Sequence, residues 1–202
     1  SPGALYIVDA ISGNLLTDGK ISISGTPKEV VITPDSRYAY IVSASSPAIL
    51  TVVDLSTNKI AYQTPIALMI GAVHASISPV GQVYITGQYL LVEFDGRPPF
   101  TERARSGVVS NPGRLHFSPD GRYAIAANEM QNGSSIVVID LQLKPSDAPA
   151  GKETNRLLIS TTGNASVKID DIFIVSPTAA VAYSNTDQKL FAVGFPTLTA
   201  SE

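Results

Sequence analysis

The sequence predicts an all-β fold, and three observations carry this prediction. The apolar runs are short and are dominated by Val, Ile, Thr, Ser and Tyr, which favour strands. The 14 Pro and 15 Gly residues are scattered through the chain of 202 residues. They supply turn signals about every 8–12 residues, as in all-β proteins. No segment carries the i, i+3, i+4, i+7 apolar stripe of an amphipathic helix.

A repeated phrase divides the chain into units. The phrase is a proline followed by a turn and a second apolar run, as in SPDGRYA at residues 118–124. The anchor prolines are Pro34, Pro79, Pro119 and Pro177, with spacings of 45, 40 and 58 residues. An extended segment precedes each proline and another follows it. Each phrase is therefore predicted to form the hairpin between the first two strands of a unit, where Pro and Asp-Gly set the turn dihedrals.

A third predicted strand ends on an acidic residue. The same strand opens the chain as LYIVDA at residues 5–10, and the four aspartates are Asp9, Asp54, Asp95 and Asp140. Because they recur at intervals of 45, 41 and 45 residues, we interpret them as hydrogen-bond acceptors for backbone at turns. A fourth, poorer strand completes each unit of about 40–45 residues.

Four strands in this length are typical of one blade of a β-propeller. Blades that stack radially have both faces covered, which explains nearly continuous apolar strands such as SIVVID at 135–140. The sequence therefore predicts a β-propeller of four-stranded antiparallel blades, with about four blades in a partial or atypical ring. We expect a single domain or fragment over 1–202, with blade pieces at about 4–23, 25–66, 67–108, 110–162 and 163–195. The first piece would supply strands three and four, and the last would supply strands one to three.

These units resemble the YVTN family of bacterial β-propeller repeats. SPDGRYAIAAN followed by SIVVIDL carries the resemblance, and YIVS at 40–43 and YITG at 84–87 stand at the family's naming tetrapeptide. The resemblance covers nearly the whole chain and is clearest at 25–66 and 110–141. It implies a fold of the lactonase-like seven-bladed propeller superfamily. The chain contains no Trp, which argues against WD-type repeats.

Composition excludes several classes of function. The net charge is −3, without a basic block, so no nucleic-acid partner is expected. No apolar run approaches the ~20 residues of a membrane span. Without Cys the chain forms no zinc-thiolate site, iron–sulfur cluster or disulfide, and we expect neither a metal nor a cofactor. The chain opens directly in a predicted strand, as if trimmed, and we expect an extracytoplasmic location: periplasm, cell surface or secreted.

Polar residues are expected to meet at one mouth of the propeller channel, because strand one of each blade lines that channel. Equivalent positions, five residues before the anchor prolines, hold Glu29, His74, Arg114 and Ile172. Such a ring would suit a small polar or anionic ligand. The alternative is that these side chains are only solvated at the channel mouth and bind no ligand. His74 and His116 are interpreted as structural or solvated histidines. The candidate ligand-binding residues are Lys28, Glu29, His74, Arg114, Asn128, Glu129, Asp170 and Asp171.

One stretch, NPGRLHFSPDGRYAIAANE, resembles the lactonase branch of seven-bladed propellers, which is similar to 6-phosphogluconolactonase. That branch carries G-P-R-H before its phenylalanine and ends in V-N-E. Asn128 and Glu129 match the ending, whereas Gly113 and Arg114 occupy the places of the Arg-His pair. The resemblance implies lactone hydrolysis, which needs a base and an oxyanion partner, and Glu129 with Arg114 are the residues available for these roles.

We therefore expect a non-enzymatic binding or scaffold module that recognises a protein, a peptide or a glycan. The alternative is a lactonase-like hydrolase. The replacement of the branch's Arg-His pair by Gly113 and Arg114 argues against this alternative. No nucleophile elbow, P-loop or dinucleotide-binding fingerprint is present. An incomplete ring would leave blade edges and faces bare, so a homodimer is a further expectation.

Overall fold

The computed structural model describes residues 3–70, 74–88, 90–107, 111–130, 133–141, 155–158, 160–161, 165–166, 168–194 and 199–201. All regular structure in these ranges is β-strand, in 21 strands. The prediction of an all-β fold is confirmed. Within the same ranges there is no helix with the length and apolar character that crossing a membrane requires.

The strands pair antiparallel into small sheets built from neighbours in the chain. Sheet 1 contains β1 (Gly3–Val8) and β2 (Leu15–Ile23). Sheet 2 contains β3 (Thr26–Ile32), β4 (Tyr38–Ala44), β5 (Ala48–Asp54) and β6 (Lys59–Ile66). Sheet 3 contains β7 (His74–Ile77), β8 (Val83–Gly87), β9 (Leu90–Phe94) and β10 (Glu102–Gly107).

Two further sheets and a short ladder follow. Sheet 4 contains β11 (Asn111–Pro112), β12 (His116–Phe117), β13 (Tyr123–Met130), β14 (Gly133–Asp140) and β15 (Asn155–Leu158). The strands β16 (Ser160–Thr161) and β17 (Ala165–Ser166) pair with each other. Sheet 5 contains β18 (Asp171–Ser176), β19 (Ala179–Ser184), β20 (Lys189–Gly194) and β21 (Thr199–Ser201). Sheet 5 thus has four strands where the sequence predicted three, because the short β21 lies beyond the last apolar run that the sequence displays.

The repeated phrase forms the turn of a hairpin, as predicted, between β3 and β4 in sheet 2 and between β12 and β13 in sheet 4. In sheet 4 the Ser118 hydroxyl donates to Asp120 Oδ1 at 2.5 Å, and Gly121 takes a left-handed φ of 69°. In sheet 2 the Thr33 hydroxyl donates to Asp35 at 2.6 Å, and Ser36 takes the left-handed position with φ 57°. The two turns therefore have the same construction, although only one carries glycine at the strained position.

The repeated aspartates serve two purposes. Asp9 accepts hydrogen bonds from the backbone N–H of Ile11 and Ser12, and Asp54 accepts one from Ser56 N–H, as the sequence predicted. The hydrogen bonds from Ser12 hold the pKa of Asp9 below its usual value. The other two carboxylates bind side chains. Asp95 accepts from the Thr101 hydroxyl and from Arg103, and Asp140 accepts from Arg122.

The core lies between successive sheets. Sheets 2 and 3 enclose the largest cluster, which includes Leu50, Val52, Ile85 and Val92, all fully buried. Smaller clusters fill the junctions of sheets 1 and 2, 3 and 4, and 4 and 5. Each sheet therefore buries side chains against the next sheet in the chain, and the described sheets form no closed ring.

Candidate functional site

Polar side chains from four sheets gather where the strands β3, β7, β12 and β18 begin. Glu29 is the fourth residue of β3, His74 is the first residue of β7, and Arg114 precedes β12. Contacts between β3 and β7, and between β12 and β18, bring these strand ends side by side. We call this group the inner-strand cluster; its members are Glu29, His74, Arg114, His116, Lys168, Asp170 and Asp171.

The carboxylate of Glu29 is the centre of the cluster. Its side chain is only 8% exposed. Oε2 accepts a hydrogen bond from Ala75 N–H at 3.0 Å and lies 3.2 Å from Nδ1 of His74. The guanidinium of Arg114 donates to Oε1. One side chain of sheet 2 thereby contacts both sheet 3 and sheet 4.

The surroundings of Glu29 favour its charged form. Burial raises the pKa of this carboxyl group, but the hydrogen bonds from His74, Ala75 and Arg114 together outweigh burial, so the net shift is downward. Glu29 is therefore ionised at neutral pH. Its partners are far more open to solvent, with Arg114 62% and His74 41% exposed, so both can also face a ligand.

Two buried hydroxyls position the segment that carries Arg114. The Thr86 hydroxyl donates to Gly113 C=O at 2.9 Å, and Leu115 N–H donates to the Ser76 hydroxyl at 2.9 Å. Both bonds join sheet 3 to sheet 4 on either side of Arg114. These residues were not among the predicted site residues. The available signal was one Ser or Thr within each of the two strands, HASI and VYITG.

The other half of the cluster lies between sheets 4 and 5. His116 Nε2 is 3.6 Å from Asp171 Oδ1. Burial lowers the pKa of His116, and the Asp171 carboxylate only partly opposes this shift. Asp170 accepts from Asn185 N–H at 2.7 Å, which ties down the loop between β19 and β20, and lies 3.6 Å from Lys168 Nζ. Lys168 was not among the predicted site residues.

Three other predicted site residues lie next to the inner-strand cluster, either along the chain or through strand pairing. Lys28 is exposed on β3, next to Glu29. Asn128 and Glu129 lie in β13, where their backbones pair with Pro112 and Asn111 respectively. This register places them at the Arg114 end of sheet 4, and their side chains lie outside the described part of the structure.

A concavity of about 460 Å³ lies away from the inner-strand cluster, between turns of sheets 2 and 3. Its charged residues are paired within the protein, with Arg97 at 3.7 Å from Asp35 and Arg103 at 3.1 Å from Asp95. The charged residues of the inner-strand cluster are also paired, but there the pairs join residues of different sheets at the ends of neighbouring strands. Across the described ranges, no set of three or more His, Asp or Glu side chains is arranged to hold a metal ion.

No protein-family model matches the sequence, and no curated protein matches it either. Solved structures do resemble the fold. Kuenenia stuttgartiensis hydrazine synthase superposes over 98% of this chain with a TM-score of 0.72 and 15% identity. A functionally unknown protein from Desulfotomaculum acetoxidans DSM 771 superposes over 94% with a TM-score of 0.63 and 20% identity.

At these identities the likeness concerns the fold alone. Together with the succession of small antiparallel sheets, it fits a propeller-like fold. The chain spans 59% and 58% of the length of these two structures. The residues of the inner-strand cluster therefore have to be interpreted from their own geometry.

Proposed function

We propose that this chain is a non-enzymatic binding or scaffold module and that the inner-strand cluster is its ligand-binding surface. The observation that supports the proposal is the Glu29 carboxylate of sheet 2, which is buried, ionised and bound by residues of two other sheets. A structural ion pair needs only two partners. Here the buried acid instead holds an arginine and an imidazole, each with a large exposed fraction, at the end of adjacent strands.

The arrangement suits a polar ligand because it is held rigid before binding. The backbone on both sides of Arg114 is fixed by hydrogen bonds from Thr86 and to Ser76, so little conformational entropy remains to be lost on binding. The cluster offers donors at Arg114 and Lys168 and acceptors at Asp171. A protein, peptide or glycan that presents both donors and acceptors matches this surface. An extracytoplasmic location is part of the same proposal.

The finer fold assignment is also a proposal. We infer a YVTN-type propeller with about four blades in a partial or atypical ring. The matching turns at 33–38 and 118–123 support this assignment, since each is closed by a Ser or Thr hydroxyl on an Asp two residues later.

The binding proposal is tested with panels of immobilised peptides and glycans, followed by affinity measurement on any ligand found. Arg114→Ala should weaken binding at least tenfold, the loss expected for one charged contact of about 1.4 kcal/mol. The matched control is Arg37→Ala, because Arg37 is 58% exposed, pairs with Asp54 at 3.9 Å and lies at the opposite end of sheet 2. Equal affinity for the Arg114 variant and the wild type would contradict the proposal.

A second candidate function is lactone hydrolysis, and the contact between His74 and Glu29 favours it. A buried carboxylate beside Nδ1 orients an imidazole whose other nitrogen can act as a general base. Arg114, which contacts the same carboxylate, could stabilise an oxyanion. The test is ring opening of gluconolactones by the wild type and by His74→Ala. A wild-type rate equal to the buffer blank rules this candidate out.

A further inference from the structure

Sheet 5 buries one of its faces against sheet 4. Ile172, Ala182 and Phe191 point to that side and pack with Ile125 and Ile136 of sheet 4. This junction resembles the other junctions between successive sheets, in which apolar side chains from two sheets form one buried cluster.

The opposite face of sheet 5 is also apolar but is bare. Phe173, Val175 and Leu190 are 57%, 62% and 64% exposed. The strand register pairs Val181 with Phe173 and Ala192 with Val181, which places both on the same face. Val181 is half-buried and Ala192 is exposed. We call this surface the leading face; it comprises Phe173, Val175, Val181, Leu190 and Ala192.

Sheet 1, at the other end of the series, also has one covered and one open face. Ile21 and Ile23 point toward sheet 2 and are buried. Tyr6, Val8 and Leu15 are 57%, 53% and 50% exposed. We call the surface formed by Tyr6, Val8 and Leu15 the trailing face; at its edge the Lys20 ammonium lies 5.8 Å from the centre of the Tyr6 ring.

Equivalent faces of the sheets are used at every junction inside the chain. Sheet 2 presents Ala39 and Ile41 to sheet 1 and the opposite face, with Tyr40, to sheet 3. Sheet 3 likewise presents Ile85 to sheet 2 and Tyr84 to sheet 4. In each pair of successive sheets, the face of the first sheet that is turned toward the next sheet in the chain packs on the face of the second sheet that is turned toward the previous one. Two faces of the same kind never pack on each other.

We propose that two copies of this chain associate head to tail, with the leading face of one copy on the trailing face of the other. This contact continues the series of internal junctions and uses the two faces that the described sheets leave open. Such an interface is heterologous, because the two copies contribute different surfaces. Contiguous exposed apolar side chains of this kind mark interaction surfaces in water-exposed domains.

The test is the molar mass of the chain, measured by light scattering over a concentration series. The wild type should be a dimer or a larger assembly that dissociates on dilution. Phe173→Lys on the leading face and Val8→Lys on the trailing face should each raise the dissociation constant at least tenfold. The control is Leu68→Lys, because Leu68 is an apolar residue with 82% exposure that lies on neither face, and this variant should assemble like the wild type.

A mixture of the two variants separates head-to-tail from same-face association. One intact leading face and one intact trailing face remain in the mixture, so a one-to-one pair should form although each variant alone is a monomer. All three substituted residues are more than half exposed, so folding should persist, and circular dichroism melts verify this. A wild type that stays monomeric at every concentration overturns the proposal. So does a Val8→Lys variant that remains assembled, or a mixture that fails to pair.

Discussion

Replacement of Glu29 by alanine should destabilise the chain, because it removes a carboxylate that joins sheet 2 to both sheet 3 and sheet 4. The substitution takes the acceptor away from Ala75 N–H, at 3.0 Å, and the counter-charge away from Arg114. The Glu29 side chain is 8% exposed, so water does not readily replace these contacts.

The size of the effect follows from the exposure of each partner. A hydrogen bond from a buried donor to a charged acceptor contributes about 1.5–3 kcal/mol. The contacts to Arg114 and His74 contribute less, up to about 1 kcal/mol each, because these side chains are 62% and 41% exposed. We expect a loss of about 2–3 kcal/mol, or a decrease in Tm of about 5–10 °C for a chain of this length. Glu29→Gln keeps an acceptor for Ala75 N–H and should lose only about 1 kcal/mol.

The assay is urea unfolding followed by tyrosine fluorescence, since the chain has 8 Tyr and no Trp. The folded-state pKa of Glu29 is lowered from the ordinary value of 4.5. Its stabilising contribution is therefore fully present above about pH 4.5 and is lost as the pH falls through the lowered folded-state pKa. The difference in free energy of unfolding between the wild type and Glu29→Gln should shrink over that acidic range.

The control is Glu102→Ala, which removes a carboxylate 35% exposed and 2.7 Å from Arg105 on the surface. This change should cost no more than about 1 kcal/mol. If Glu29→Ala is as stable as the wild type, or if its effect does not depend on pH in the acidic range, the assignment of Glu29 as an ionised link between sheets is wrong.

Three further substitutions test the packing within and between sheets 2 and 3. Gly96→Ala should destabilise by at least about 3 kcal/mol, because a Cβ there would lie 1.7 Å from Gly81 C=O; thermal melts measure this. Tyr40→Phe should cost about 1 kcal/mol, because its hydroxyl donates to Asp95 C=O at 2.6 Å between sheets 2 and 3; urea titration measures it. Ile85→Ala should cost about 3 kcal/mol, because Ile85 is fully buried between the same sheets, and the same titration reports it.

Matched controls accompany these three changes. Gly13→Ala should cost only about 1 kcal/mol, since Gly13 has a left-handed φ of 70° but open space around it. Tyr62→Phe and Val80→Ala should each change stability by less than about 0.5 kcal/mol. The Tyr62 hydroxyl makes no hydrogen bond to a described residue, and Val80 is 65% exposed. A control that destabilises as much as its test variant would show that the named contact is not the cause.

Local chemistry in the sequence was sufficient to predict the all-β class and the turns of the repeated phrase. Short β-branched runs between Pro and Gly predicted a fold without helices, and the structure confirms that prediction for the described residues. The phrase SPDGRYA predicted a hairpin because Pro, Asp and Gly restrict the backbone of the residues that they occupy. The repeat also indicated Glu29, His74 and Arg114 as equivalent positions in successive units.

The contacts among these residues could not be predicted in the same way. Glu29 and Arg114 are 85 residues apart, and only the packing of three sheets brings them together. Ser76 and Thr86 lie in apolar strands, and nothing in the sequence shows that their hydroxyls bind the neighbouring sheet. Contacts between sheets depend on distances that a local pattern does not contain.

The sequence by itself therefore determined the all-β class and the turns of the repeated phrase, because each depends on the conformations available to a few adjacent residues. Only the tertiary structure decided which face of each sheet is covered. In β18 the residues Ile172, Phe173, Ile174 and Val175 are all apolar, so no alternation distinguishes a buried face from a bare one. Burial of Ile172 and exposure of Phe173 are set by the position of sheet 4, which packs on one side of the strand and not on the other.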